Sequence, residues 1–199
     1  MEYKCEAKDY LGRARDRLVE ANPEALFYTA LELRCGIEAR LKEYFDAQAE
    51  TTKKKRKGWQ ISKLAKQVEA VFKAREKVIR LVVFDPETNS VISDAFYTPV
   101  TSKLQKLGEQ LGGYLHASDK KRSKNGQWLA VFREKLNETY RELEFSVSGT
   151  LMAPPLEHTK KPGKLFFCLT GDQTKLFPPG KRIGIRFEKY ELTKEVGIR

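Results

Sequence analysis

The most regular pattern in the chain runs through residues 23–48, where apolar side chains recur every three or four residues. This is the spacing of one face of an α-helix. Asn22 can cap such a helix with its side chain, and Pro23 suits the first helical position. The segment therefore predicts one long amphipathic helix whose apolar stripe faces inward. The stripe consists of Leu26, Ala30, Leu33, Ile37, Leu41 and Tyr44.

Four further segments share this helical spacing. They are residues 5–20, 60–78, 101–117 and 127–143. Between the third and fourth predicted helices, β-branched and aromatic residues flank a turn-forming stretch, which predicts a β-hairpin near residues 79–98. After Glu144 apolar and polar residues alternate, and two later stretches also have the composition of strands. This alternation predicts three antiparallel strands within residues 145–199.

Together these elements predict a mainly α fold of the α+β class. We expect an antiparallel bundle of about five helices, with the β-hairpin inserted between the third and fourth, and a small C-terminal antiparallel β unit. The helical domain should span residues 1–144 and the β unit residues 145–199. Because a sheet of three short strands is marginally stable alone, the β unit should pack on the helices.

Positive charge is concentrated in one part of the chain. The formal net charge is +11, and residues 51–80 alone contain eleven Lys and Arg against two Glu, a net charge of +9. Residues 1–50 are net acidic, at −3. A basic surface of this kind attracts phosphate backbones without reading base sequence. We therefore expect a nucleic acid as the partner, and the alternatives are a solvated surface or an acidic protein partner.

The expected nucleic-acid-binding residues belong to a basic loop, to the third predicted helix and to a second loop after the fourth. They are Lys53, Lys54, Lys55, Arg56, Lys57, Lys63, Lys66, Lys120, Lys121 and Arg122.

The candidate catalytic residues are His116 and Arg34. The chain has two histidines, and His116 ends the fourth predicted helix, where the helix dipole favours a protonated imidazole. His158 lies in a proline-flanked loop and should be exposed. Arg34 and Glu38 are four residues apart and should pair on one helix face. The alternative roles are structural, with His116 bound to a terminal carbonyl and Arg34 held in an ion pair.

Three glycines remove side-chain bulk from these helices. They are Gly36, Gly108 and Gly112. We expect them to let the second and fourth helices approach closely, which would bring Arg34 near the fourth helix.

No motif for metal, nucleotide or hydrolytic chemistry is present. The sequence lacks HExxH, a P-loop, GxSxG and a GxGxxG after a strand, and its cysteines, Cys5, Cys35 and Cys168, form no CxxC pair. We therefore predict no metal site and no cofactor. The odd number of scattered cysteines favours a reducing compartment. With 33% charged residues and no apolar run of about 18 residues, the chain is expected to be cytoplasmic, with no membrane partner.

Two stretches resemble a known family. ALELRCGIEARLKEYF at residues 30–45 and FYTPVTSKLQKLGEQLGGYLHA at residues 96–117 are similar to helices of the HEPN-like proteins of bacterial abortive-infection and defence loci. The resemblance implies an antiparallel helical bundle, a tendency to dimerise, and RNA or tRNA as a frequent target. HEPN ribonucleases share an Arg and a polar residue a few positions before a His on one late helix, and neither histidine here follows that pattern.

Charge and resemblance together predict a non-catalytic or weakly catalytic, HEPN-like RNA-binding protein of a bacterial defence or toxin–antitoxin system, with RNA favoured over DNA. Two further functions fit the same residues. One is a divergent, metal-independent endoribonuclease in which His116 is the general acid or base and Arg34 stabilises the phosphorane. The other is an accessory or scaffold subunit whose C-terminal strands pair with a partner sheet. The expected assembly is a homodimer or a complex with a partner protein.

Overall fold

Five helices make up most of the described structure. The computed structural model describes residues 4–20, 22–47, 60–74, 76–116, 127–157, 165–166, 168–169, 180 and 182–192. The helices of this part of the chain are α1 (Ala7–Leu18), α2 (Pro23–Asp46), α3 (Ile61–Phe72), α4 (Ser102–Leu115) and α5 (Gln127–Val147). The predicted mainly α fold with a small antiparallel sheet is confirmed.

Local capping sets where α2 and α4 begin. The Asn22 side chain accepts a hydrogen bond from the backbone N–H of Ala25 at 2.7 Å, and Pro23 occupies the first turn. Thr101 caps α4 in the same way and accepts from Leu104 N–H at 3.0 Å. Each cap satisfies an N–H that has no partner inside its helix.

Helix α2 is the centre of the bundle and packs against all four other helices. Its predicted apolar stripe is buried, with Leu33, Ile37 and Tyr44 at 0% exposure. Gly108 brings α4 close to α2, because a Cβ there would lie 2.8 Å from Ile37 Cδ1. Gly36 faces elsewhere: a Cβ there would lie 2.8 Å from Leu143 Cδ2 of α5. The expectation that Gly36 opens α2 toward α4 is therefore wrong.

The sheet is built on the predicted hairpin. Its strands are β1 (Lys77–Phe84) and β2 (Val91–Tyr97), paired antiparallel. Asn89 in the turn has a left-handed backbone, φ 56°, which asparagine tolerates better than most residues. Strands β3 (Leu156–Glu157) and β4 (Leu165–Phe166) pair with each other, and β5 (Gly184–Glu191) pairs antiparallel with β1. The three-stranded sheet has the order β2-β1-β5.

The third predicted helix extends too far. α3 ends at Phe72, and Lys73 follows in a left-handed conformation, φ 50°. Val78, predicted as its last residue, lies in β1 and is fully buried. The β-branched run after Lys77 favours a strand, and pairing on both edges of β1 stabilises it.

The predicted strand after Glu144 is also wrong. Helix α5 continues to Val147, so a boundary between residues 144 and 145 lies inside a helix. Ser146 is buried there, and its carbonyl accepts hydrogen bonds from Arg40 Nε and Thr98 Oγ1. The predicted three-stranded C-terminal unit takes another form: β5 joins the hairpin, and Leu151 forms only an isolated bridge with Leu169.

Candidate functional site

Arg34 lies against the last turn of α4. A Cβ on Gly112 would overlap Arg34 Nη1, so glycine leaves the space that the guanidinium occupies. Arg34 Nε is 3.4 Å from Glu38 Oε1, and both side chains are less than one fifth exposed. The predicted pairing of Arg34 with Glu38 and the approach of Arg34 to α4 are confirmed.

The Glu38 carboxyl is held in a partly desolvated position. Burial raises its pKa above the usual value, against the opposing effect of Arg34 and Lys42. Burial disfavours the charged form of a carboxyl, whereas a nearby cation favours it. Arg34 and, to a smaller extent, Lys42 therefore limit the rise in the pKa of Glu38.

His116 immediately follows α4 and is exposed. Its backbone N–H donates to the carbonyl of Gly112 at 3.1 Å, which closes the last turn of the helix. Gly112 is also the residue that Arg34 contacts. Gly112 and His116 are one helical turn apart on α4, so Arg34 of α2 and His116 both lie at the C-terminal end of α4.

Lys63 and Lys66 lie on the outer face of α3. Both are exposed, whereas Leu64 and Val68 of the same helix are buried. Within the described residues neither lysine takes part in an ion pair. His158 and the remaining predicted binding residues lie outside the described residues. Those residues are Lys53, Lys54, Lys55, Arg56, Lys57, Lys120, Lys121 and Arg122.

Two of the cations in residues 51–80, Lys77 and Arg80, lie in β1. Lys77 Nζ is 2.6 Å from Glu191, and Arg80 is 2.6 Å from Asp94 and 3.3 Å from Glu188. Hydrogen bonding to Asp94 is the main cause that raises the pKa of Arg80. Because carboxylates of the sheet compensate these two cations, the basic surface includes fewer of the cations than residues 51–80 contain.

A cleft of about 390 Å³ lies beside α2, α3 and the residues that lead into α4. Its walls are apolar and aromatic, with Leu41, Tyr44, Phe72 and Tyr97 among them, and Lys66 is also one of the lining residues. The sequence pattern does not indicate the cleft, because its lining comes from segments far apart in the chain. Tyr44 and Phe72 each lie on the apolar face of their own helix. This position predicts that they are buried, but not that they line a cleft.

A buried polar network supports one wall of this cleft. The Tyr44 hydroxyl donates to the Thr98 carbonyl at 2.8 Å, and Arg40 lies over the Tyr44 ring at 4.8 Å. Arg40 is 3% exposed, donates to the Ser146 carbonyl at 2.9 Å and pairs with Glu43 at 3.0 Å. The sequence signal for this network is an arginine that stands four residues before Tyr44 within an apolar stripe.

Two negative observations apply to the described part of the chain. It contains no group of three or more His, Cys, Asp and Glu side chains placed to hold a metal ion. None of its helices combines the length and apolar character needed to cross a membrane.

Comparison of the chain with protein-family models, with curated proteins and with solved structures finds no match.

Proposed function

We propose that this chain is an RNA-binding protein of a bacterial defence or toxin–antitoxin system, HEPN-like in its helical part, and that it binds through the basic loop and α3. The observation that carries the proposal is the cluster of seven Lys and Arg, with no Asp or Glu among them, in residues 53–66. The resemblance of residues 30–45 and 96–117 to HEPN-like helices supports RNA as the nucleic acid.

The position of the charges is what favours a binding surface over general solubility. Lys63 and Lys66 are exposed and three residues apart, so they project from one side of α3. They follow the five consecutive cations of residues 53–57 in the sequence. Lys77 and Arg80, by contrast, are compensated by carboxylates of the sheet. Uncompensated cations in one segment release counterions when a phosphate backbone binds, which is the source of sequence-independent affinity.

The test is a fluorescence anisotropy titration of single-stranded RNA at low and at physiological salt. The parent chain should bind with an affinity that falls steeply with salt. Replacing all five cations of residues 53–57 with glutamine should lower the affinity by at least tenfold. A control variant, Lys8→Gln/Lys42→Gln, removes two exposed cations from the acidic segment and should change the affinity little. Unchanged affinity in the fivefold variant would rule out the proposed surface.

A divergent ribonuclease is the second candidate, and one observation favours it. The Arg34 guanidinium occupies the space beside Gly112, and the Gly112 carbonyl accepts from the backbone N–H of His116, so both residues lie at the same end of α4. In a metal-independent cleavage, His116 would move a proton and Arg34 would stabilise the charge of the phosphorane. The test is an RNA cleavage assay with purified parent chain, His116→Ala and Arg34→Lys. Cleavage that survives His116→Ala unchanged would remove this residue from the mechanism.

A further inference from the structure

The cleft beside α2 and α3 is built like a ligand site. Its volume of about 390 Å³ lies in the range of about 300 to 1,000 Å³ that small-molecule sites occupy. Phe72 and Val68 of α3 line it together with Leu41 and Tyr44 of α2. Such a lining favours a ligand with an apolar body.

Three aromatic rings line the cleft. Tyr44 and Tyr97 meet edge to face, with ring centroids 5.3 Å apart, and Phe72 is the third. Burial raises the pKa of both tyrosines, so their hydroxyls stay neutral at pH 7. The three rings are almost fully buried, with Tyr44 at 0%, Tyr97 at 2% and Phe72 at 8% exposure, so they supply apolar packing to the cleft rather than an open ring face. The Tyr44 hydroxyl donates to the Thr98 carbonyl at 2.8 Å and lies 3.3 Å from the Ser146 hydroxyl, so its hydrogen bonds are made inside the fold.

Among the described residues that line the cleft, the charged side chains are two carboxylates and one ammonium. Glu69 and Glu76 are exposed lining residues, and Lys66 is the one lining cation among the residues that the structure describes. Glu76 also accepts a hydrogen bond from Ser102 N–H at 2.8 Å. Arg40 lies over the Tyr44 ring but pairs with Glu43, so this pair adds no net charge. Two carboxylates against one ammonium favour a cationic ligand over an anionic one.

We propose that this cleft binds a small organic cation, a molecule with an apolar or aromatic body and one ammonium group. The apolar body fills the space between α2 and α3. The ammonium group lies near the carboxylates of Glu69 and Glu76. This site is separate from the proposed RNA surface and shares only Lys66 with it.

The test uses three probes of equal size and different charge, namely protonated benzylamine, benzyl alcohol and benzoate. Each is titrated into the full chain at low salt and followed by NMR of amide and methyl groups. Benzylammonium should shift resonances of Leu41, Ala65 and Val68 and bind about tenfold more tightly than benzyl alcohol. Benzoate should bind most weakly. Benzoate equal to or tighter than benzylammonium, or no saturable shift at the cleft with benzylammonium, would overturn the proposal.

Three variants test whether the probes bind in the cleft. Glu69→Gln should weaken benzylammonium several-fold and leave benzyl alcohol unchanged, whereas Glu134→Gln on α5, which contributes no lining residue, should alter neither. Ala65→Leu should fill the cleft and abolish binding of both probes; a melting curve establishes that the variant is folded. If Ala65→Leu does not fold, the Glu69→Gln result decides alone, and equal benzylammonium affinity in both glutamine variants counts against the proposal.

Lys66→Gln distinguishes this site from the RNA surface. The substitution removes a repulsive charge from the cleft, so benzylammonium should bind a few-fold more tightly. The same substitution removes a proposed phosphate contact, so RNA should bind more weakly. A decrease in both affinities would contradict the charge argument for the cleft, whereas a gain for benzylammonium with no change for RNA would contradict the RNA surface only.

Discussion

Helix α2 packs tightly against α4, here called the closed contact, and leaves a cleft beside α3, here called the open contact. On the α4 side, Gly108 and Gly112 let the side chains of Ile37 and Arg34 reach the backbone of the neighbouring helix. On the α3 side, Tyr44 and Phe72 line a cleft instead. The size of the residues at each contact therefore decides whether α2 packs tightly against its neighbour or leaves a ligand-sized space.

The largest expected effect comes from the polar network beside the open contact. Arg40→Met should lower the free energy of unfolding by about 2 to 3 kcal/mol, because it leaves the partly buried Glu43 carboxylate without its ion-pair partner. This cost lies at or below the lower limit of the usual range of about 3 to 5 kcal/mol for buried pairs. Arg40 Nη2 lacks a hydrogen-bond partner among the described residues, and Glu43 is partly exposed.

A double variant checks the cause of that loss. Arg40→Met/Glu43→Gln removes the uncompensated charge and should recover about half of the lost stability in urea unfolding. A double variant no more stable than Arg40→Met would show that packing, rather than the unpaired carboxylate, causes the loss.

A single methyl group added at Gly108 should disrupt the closed contact between α2 and α4. A Cβ at Gly108 would lie 2.7 Å from Ile61 Cδ1 and 2.8 Å from Ile37 Cδ1, both side chains fully buried. Gly108→Ala should therefore destabilise the fold by about 1 to 2 kcal/mol, despite the better helix propensity of alanine. Thermal unfolding measures the change.

The matched control lies on the same helix. A Cβ at Gly113 would meet nothing within 4 Å, so Gly113→Ala should stabilise the fold by about 0.5 to 1 kcal/mol. If both variants shift the melting temperature in the same direction, the tight contact at Gly108 does not control the packing of α4.

The smallest expected effect is a pH dependence at the closed contact. Because burial raises the pKa of Glu38, the folded state binds a proton more readily than the unfolded state. The contribution of Glu38 to stability should therefore fall as the pH rises from its usual pKa of 4.5 to the raised value in the fold. Glu38→Gln should accordingly be more stable relative to the parent at pH 7 than at pH 4, as measured by urea unfolding. A relative stability that does not change with pH would contradict this.

Local sequence patterns predict much of the fold and, in the candidate site, the pairing of Arg34 with Glu38. The stripe of α2, the caps at Asn22 and Thr101, and the pairing of Arg34 with Glu38 depend on residues three or four apart, so the sequence shows them directly.

Features that depend on distant segments could not be predicted in this way. The alternation after Glu144 suits a strand or a helix equally, and the burial of Ser146 against Arg40 and Thr98 decides for the helix. The pairing of β5 with β1 joins segments about a hundred residues apart, and the cleft is formed by helices and the end of a strand together. No short motif marks either of them.

The salt dependence of RNA affinity is the most direct test of RNA binding through the exposed face of α3. The slope of the logarithm of the binding constant against the logarithm of salt concentration reports the number of phosphate contacts, at about 0.7 per contact for single strands. We predict that Lys63→Gln/Lys66→Gln lowers the magnitude of that slope by about 1.4, whereas Lys8→Gln/Lys42→Gln leaves it unchanged. The same slope in the parent chain and in the α3 variant would contradict the assignment of RNA binding to this face of α3.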